Sequence, residues 1–172
     1  MRHSAVSRYH RFPGRTSAEF NVRGAVVNLP SAQDIDRFGS LDEARAREQF
    51  LGKSFLEAVA MFEDNVLRCG ESLSHMGERA ALFYGTALLQ YVNSENSRGN
   101  ECAAAALVGA TDSWLESGFE LKPIEAELLQ ALHRIHQQFS FYAPELMTQR
   151  IYHELPKESS RVLRRLNNRV RA

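Results

Sequence analysis

The sequence predicts an all-α protein, an irregular bundle of six to seven helices around a central apolar helix pair at about 78–94 and 101–117. Three observations carry that expectation. Apolar residues recur at helical spacing through most of the chain. Two Ser-x-x-Glu capping signals open successive segments. The run from Ala80 to Val92 holds no charged residue, and a helix apolar on every side is one enclosed by protein.

Residues 1–30 lack helical periodicity and are punctuated by Pro13-Gly14 and Gly24. Val22, Val26, Val27 and Leu29 suit one short extended segment. This stretch reads as a basic leader, extended or poorly ordered, and 31–172 as a single helical domain ending in a basic amphipathic helix. A brief helical turn is expected at Asp34–Phe38, before Gly39. Ser40 with Glu43 opens a helix that stops at Gly52, and Ser54 with Glu57 opens the next. Phe55, Val59, Phe62 and Val66 share one face of that helix, Cys69 falls on the same side, and Gly70 is a natural stop. The apolar helix follows Met76-Gly77.

Asn100 suits the cap of its neighbour, whose Ala103 to Ala106 run and Gly109-Ala110 offer a smooth surface for close approach. Trp114 and Leu115 seal one end of that contact, and Gly118 ends the helix. Pro123 suits the first turn of another helix, striped by Ile124, Leu128, Ala131, Ile135 and Phe139. Pro144 can start a short helix that stops before Pro156, and the last helix is expected from Ser159 or Ser160.

At 172 residues, 44% hydrophobic and 24% charged, the chain can bury a core without disulfides or metals. Cys69 and Cys102 form no Cys-x-x-Cys pair, so both read as reduced apolar side chains in a cytoplasmic protein. No apolar targeting region follows the charged N-terminus. The Ala80–Val92 run is shorter than the ~20 residues a membrane span needs, and no membrane partner is expected. The net charge of zero conceals a segregation: +4 over residues 1–29, −9 over 30–155 and +5 over 156–172.

Few motifs carry chemistry. Gly52-Lys53-Ser54 resembles part of a phosphate loop, but Arg47 stands where the first glycine belongs, so it reads as a helix stop followed by a cap. His133 and His136 lie one turn apart without further ligands in sequence, and Gln130 breaks the Glu-x-x-His spacing of di-iron bundles. They read as surface or boundary histidines, and no metal or other cofactor is expected. No nucleophile motif is present. Tyr84 and Tyr91, on the apolar helix, need hydrogen-bond partners. With His136 they are candidates to line a small-ligand pocket between helices.

The terminal helix is the strongest functional signal. Val162, Leu163, Leu166 and Val170 make a docking arc, and Arg161, Arg164, Arg165, Arg169 and Arg171 make a dense basic face. That face suits phosphates, an acidic protein surface, or the chain's own acidic body. The leading expectation is a non-enzymatic interaction or regulatory module, a bacterial adaptor for instance, with a protein partner. The alternatives are a nucleic-acid-binding protein using its basic ends, and an enzyme or ligand binder with a pocket between helices. Oligomeric state leaves no mark in the sequence.

Overall fold

The computed structural model describes residues 20–22 and 25–170, with side chains from Asn28 to Arg169. It is the expected all-α bundle. Apart from a two-stranded antiparallel ribbon, β1 (Phe20–Val22) and β2 (Ala25–Val27), the regular structure among the described residues is helical. The helices are α1 (Ala32–Ile35), α2 (Leu41–Phe50), α3 (Phe55–Leu73), α4 (Glu78–Asn93), α5 (Glu101–Glu116), α6 (Glu125–Gln137), α7 (Phe139–Tyr142), α8 (Leu146–Ile151) and α9 (Leu155–Val170). Short 3-10 turns precede α5 and α6.

The predicted caps form. Ser40 Oγ accepts from the Glu43 N–H at 3.2 Å, while the Glu43 carboxylate accepts from the Ser40 N–H at 3.0 Å. Ser54 and Glu57 repeat the exchange, and Asn100 Oδ1 accepts from the Ala103 N–H at 3.2 Å. Each satisfies a donor that the first helical turn leaves without a partner. Gly52, at φ +76°, supplies the left-handed residue after α2. A third box was not foreseen: Ser31 with Asp34 starts α1 at Ala32, so the turn expected at Asp34–Phe38 begins and ends earlier.

Two other boundaries are corrected. Gly70 does not stop α3, which continues to Leu73. The break comes at Asn65 (φ −151°, ψ 79°), whose Oδ1 caps the second half by accepting from the Arg68 N–H at 3.1 Å. Gly70 is instead where α3 meets α5, since a Cβ there would lie 2.7 Å from that of Ala106. The last helix begins at Leu155 rather than near Ser159. Pro156 sits in the first turn, where its missing N–H leaves nothing unsatisfied. Ser159 is buried and donates to the Leu132 carbonyl at 2.8 Å.

The core is continuous, and its centre is α3, α4 and α5 packed on one another, so the expected pair is a trio. Trp114 of α5 fills the junction. Its indole N–H donates to the Leu73 carbonyl at 3.3 Å, and its ring covers Gly85 of α4. Helix α9 packs on α6 and α5. Ala80, Ala81, Tyr84, Ala87, Leu88 and Val92 of α4 are fully buried, but Leu82, Phe83 and Thr86 are only half-buried and Gln90 is exposed. Enclosure by the described residues is therefore incomplete on one flank of α4.

Gly85 and Gly109 give opposite expectations. A Cβ at Gly85 would lie 2.5 Å from Trp114 Cη2, whereas one at exposed Gly109 meets nothing within 4 Å. Gly85→Ala should cost about 1–3 kcal/mol through overpacking. Gly109→Ala should gain about 0.4–1 kcal/mol by restricting the unfolded chain. Urea midpoints shifting in the same direction for both variants would contradict the Trp114 junction.

Candidate functional site

The arginines of the terminal helix are the strongest functional signal in the sequence. α9 buries Val162, Leu163 and Leu166 as expected. The Val170 side chain and Arg171 lie outside the described residues. Arg161 Nη2 reaches Asp112 Oδ2 of α5 at 2.8 Å. Arg165 bonds the same carboxylate and lies 3.8 Å from Glu116. Arg169 donates to the Phe119 carbonyl at 3.0 Å. Arg164 is exposed and has no partner among the described residues. Three of the five arginines thus hold α9 to the bundle. Asp112 escapes a sequence reading, although it is the one acid between Glu101 and Glu116.

The residues expected to line a pocket occupy separate places. Tyr84 is fully buried; its hydroxyl donates to the Phe50 carbonyl at 2.6 Å, with the Lys53 carbonyl at 3.2 Å. Burial pushes the phenol up to about 12, so it stays a neutral donor tying α4 to the α2–α3 turn. Tyr91 accepts from Asn100 Nδ2 at 2.8 Å, joining α4 to the cap of α5. His136 is exposed, and its Nδ1 donates to the Pro156 carbonyl at 2.9 Å, joining α6 to α9. His133 is also exposed. Tyr84, Tyr91 and His136 are thus each bonded within the fold.

A polar cleft of about 650 Å³ lies between α2 and the second half of α3, walled by Arg45, Glu48, Arg68 and Glu71. Beneath them, Ser72 Oγ donates to Gln49 Oε1 at 2.8 Å, and Gln49 Nε2 donates to Cys69 Sγ at 3.0 Å. Burial pushes the Cys69 thiol up to about 11, which removes it as a nucleophile near neutrality. Ser72 has no histidine or carboxylate bonded to it among the described residues. The cleft therefore holds a satisfied network without an activated group. Among the described residues, no cluster of three or more His, Cys, Asp or Glu is placed to hold a metal.

An apolar groove of about 260 Å³ opens on the exposed flank of α4, between Leu82, Phe83, Phe55 and Ile124. A second apolar surface lies on α8, where Leu146, Met147 and Ile151 are 74%, 65% and 67% exposed and no residue is buried. The neighbouring Phe139, Tyr142 and Ala143 take the core positions, and Tyr142 donates to the Val92 carbonyl at 3.1 Å. That leaves α8 outside, its other side held by Gln149 Nε2 donating to the Ala143 carbonyl at 2.8 Å. The sequence predicts a short helix there without identifying the patch. A short run of apolar residues between Pro144 and Pro156 does not reveal which side faces water.

Comparison of the chain with family models, with curated proteins and with solved structures gives no match. The functional reading therefore rests on geometry.

Replacing Arg161, Arg164, Arg165 and Arg169 by Gln should lower the melting temperature modestly, since exposed pairs contribute about 0–1 kcal/mol each. Asp112→Asn should reproduce most of that loss, because two arginines share its carboxylate. A neutral Asp112→Asn would show that the pairing contributes nothing.

Cys69 sets an alkaline expectation. Its folded pKa is raised from the ordinary 9.0 to about 11. The stability carried by the neutral thiol is thus fully present below pH 9 and lost as pH rises toward 11. Urea midpoints measured across that window should fall, and Cys69→Ala should flatten the fall. Equal slopes in both proteins would remove Cys69 as the cause.

Proposed function

We propose that this protein is a non-enzymatic interaction module, an adaptor or regulatory protein, that docks on a protein partner through α8. The observation that carries the reading is a helix with three large, outward apolar side chains and nothing buried. An isolated helix of six residues is far below the roughly 12–15 needed for stability in water, so the body of the fold holds α8 in place. Leu146 and Met147 are followed one turn later by Arg150 and Ile151, which gives an apolar strip with a cationic edge. Such a strip suits an apolar groove with an acidic rim on the partner. The satisfied Ser72–Gln49–Cys69 network weighs against catalysis in the polar cleft. The two free cysteines fit a reducing, cytoplasmic setting.

A second reading, nucleic-acid binding through the basic ends, draws on exposed Arg164 and the +4 charge over residues 1–29. It is weakened because Arg161, Arg165 and Arg169 are engaged within the chain.

A triple variant, Leu146→Ser, Met147→Ser and Ile151→Ser, tests the proposal. These exposed side chains leave the core untouched, so stability should change by no more than about 0.5 kcal/mol. A partner cross-linked by the wild type should be lost by the variant and kept by the α9 arginine-to-Gln variant. If the triple variant captures the partner as well as wild type does, the α8 reading fails. A low-salt shift of DNA or RNA abolished by the arginine substitutions would favour the second reading.

A further inference from the structure

The groove beside α4 and the chain that enters it meet at one point. Leu82 and Phe83 of α4, Phe55 at the start of α3 and Ile124 before α6 enclose about 260 Å³ of mainly apolar space. Asn28 and Pro30 also line it, so the chain preceding residue 28 departs from the groove wall itself. Arg79 fixes that departure point. Its Nη2 donates to the Asn28 carbonyl at 3.2 Å, and its Nη1 bonds Asp34 at 2.9 Å. Asp34 is held in turn by the Ser31 cap of α1.

What departs there is the β1–β2 ribbon. Its register pairs Phe20 with Val27 and Val22 with Ala25. Directly paired positions share a face and successive ones alternate. One face of the ribbon therefore carries the positions of Phe20, Val22, Ala25 and Val27, and the other those of Asn21 and Val26. A lone two-stranded hairpin is marginal in water and needs an apolar support. Val27 is joined by one peptide bond to Asn28, which lines the groove. Phe20, paired with it, is one strand spacing away, about 5 Å. The groove lacks a covering helix, and the ribbon has an apolar face to bury beside it.

We propose that the groove is the docking site of the protein's own N-terminal segment, which seats the Phe20 and Val27 face of the ribbon against Leu82, Phe83 and Ile124. This is independent of the α8 reading, because it concerns a different surface and an intramolecular occupant. It assigns the uncharged Ala80–Val92 run a purpose on the flank that no helix among the described residues covers.

Limited trypsin digestion of the full-length protein tests it. Arg15 precedes the ribbon and Arg23 lies between its strands. Docking predicts cleavage after Arg23 several-fold slower than after Arg15, because a protease acts on the undocked population. Phe20→Ser, on the docking face, should bring cleavage after Arg23 up to the Arg15 rate. Thr86→Arg, on the half-buried groove wall, should do the same with the ribbon sequence intact. Asn21→Ser, on the opposite face, should leave the protection in place. Thermal melts of each variant establish that the bundle is folded. Arg23 cleaved as fast as Arg15 in the wild type, or protection that survives Thr86→Arg in a folded protein, overturns the proposal. Protection that grows with protein concentration also overturns it, since the ribbon of a second copy would then occupy the groove.

Discussion

The packing of Trp114 against Gly85 is the constraint on which the bundle depends. A full indole fits between three helices only because α4 presents bare backbone at that point, where a Cβ would come within 2.5 Å of the ring. The same residue donates to the carbonyl of Leu73, a helix-end acceptor that has no intrahelical partner. One side chain thus fills the junction volume, sets the approach of α5 to α4, and satisfies the end of α3. Gly70 against Ala106 repeats the logic between α3 and α5. Because interiors are close-packed, such contacts admit little variation in helix spacing.

Around this trio the polar groups serve mainly to join elements. Tyr84 binds the α2–α3 turn, Tyr91 the cap of α5, and Tyr142 the end of α4. Asp112 collects Arg161 and Arg165, so the charge segregation visible in the chain is partly resolved within the fold. This is why a basic helix of high density offers a partner fewer free cations than its sequence promises. It also explains why buried tyrosines, which suggest a pocket in one dimension, mark helix junctions in three.

The apolar surfaces at α8 and beside α4 differ in kind. The α8 patch projects from a short helix that the fold holds in place through its half-buried side, with no residue fully buried, a geometry suited to a separate partner. The α4 groove is recessed and lies at the root of the N-terminal ribbon, a geometry suited to an intramolecular occupant. On the two proposals above, α8 docks outward on a partner while the groove beside α4 takes the protein's own N-terminal ribbon.

Local signals determined much of this protein. The boxes at Ser40 and Ser54, the cap at Asn100 and the stops at Gly52 and Gly118 are legible because each acts within one helical turn. The docking arc of Val162, Leu163 and Leu166 is legible because periodicity alone defines it. Gly70 reads as a stop in the sequence, and the position of Ala106 makes it a close contact instead. Pro156 and Ser159 depart from expectation for a similar reason: the buried Ser159 hydroxyl needs an acceptor, and it finds the Leu132 carbonyl on another helix. The partners of the arginines, the separation of Tyr84, Tyr91 and His136, and the exposure of α8 were likewise decided by tertiary structure. Each depends on which residues distant in sequence compete for the same buried volume or the same carboxylate, and a periodic pattern records which face is apolar but not what lies opposite it.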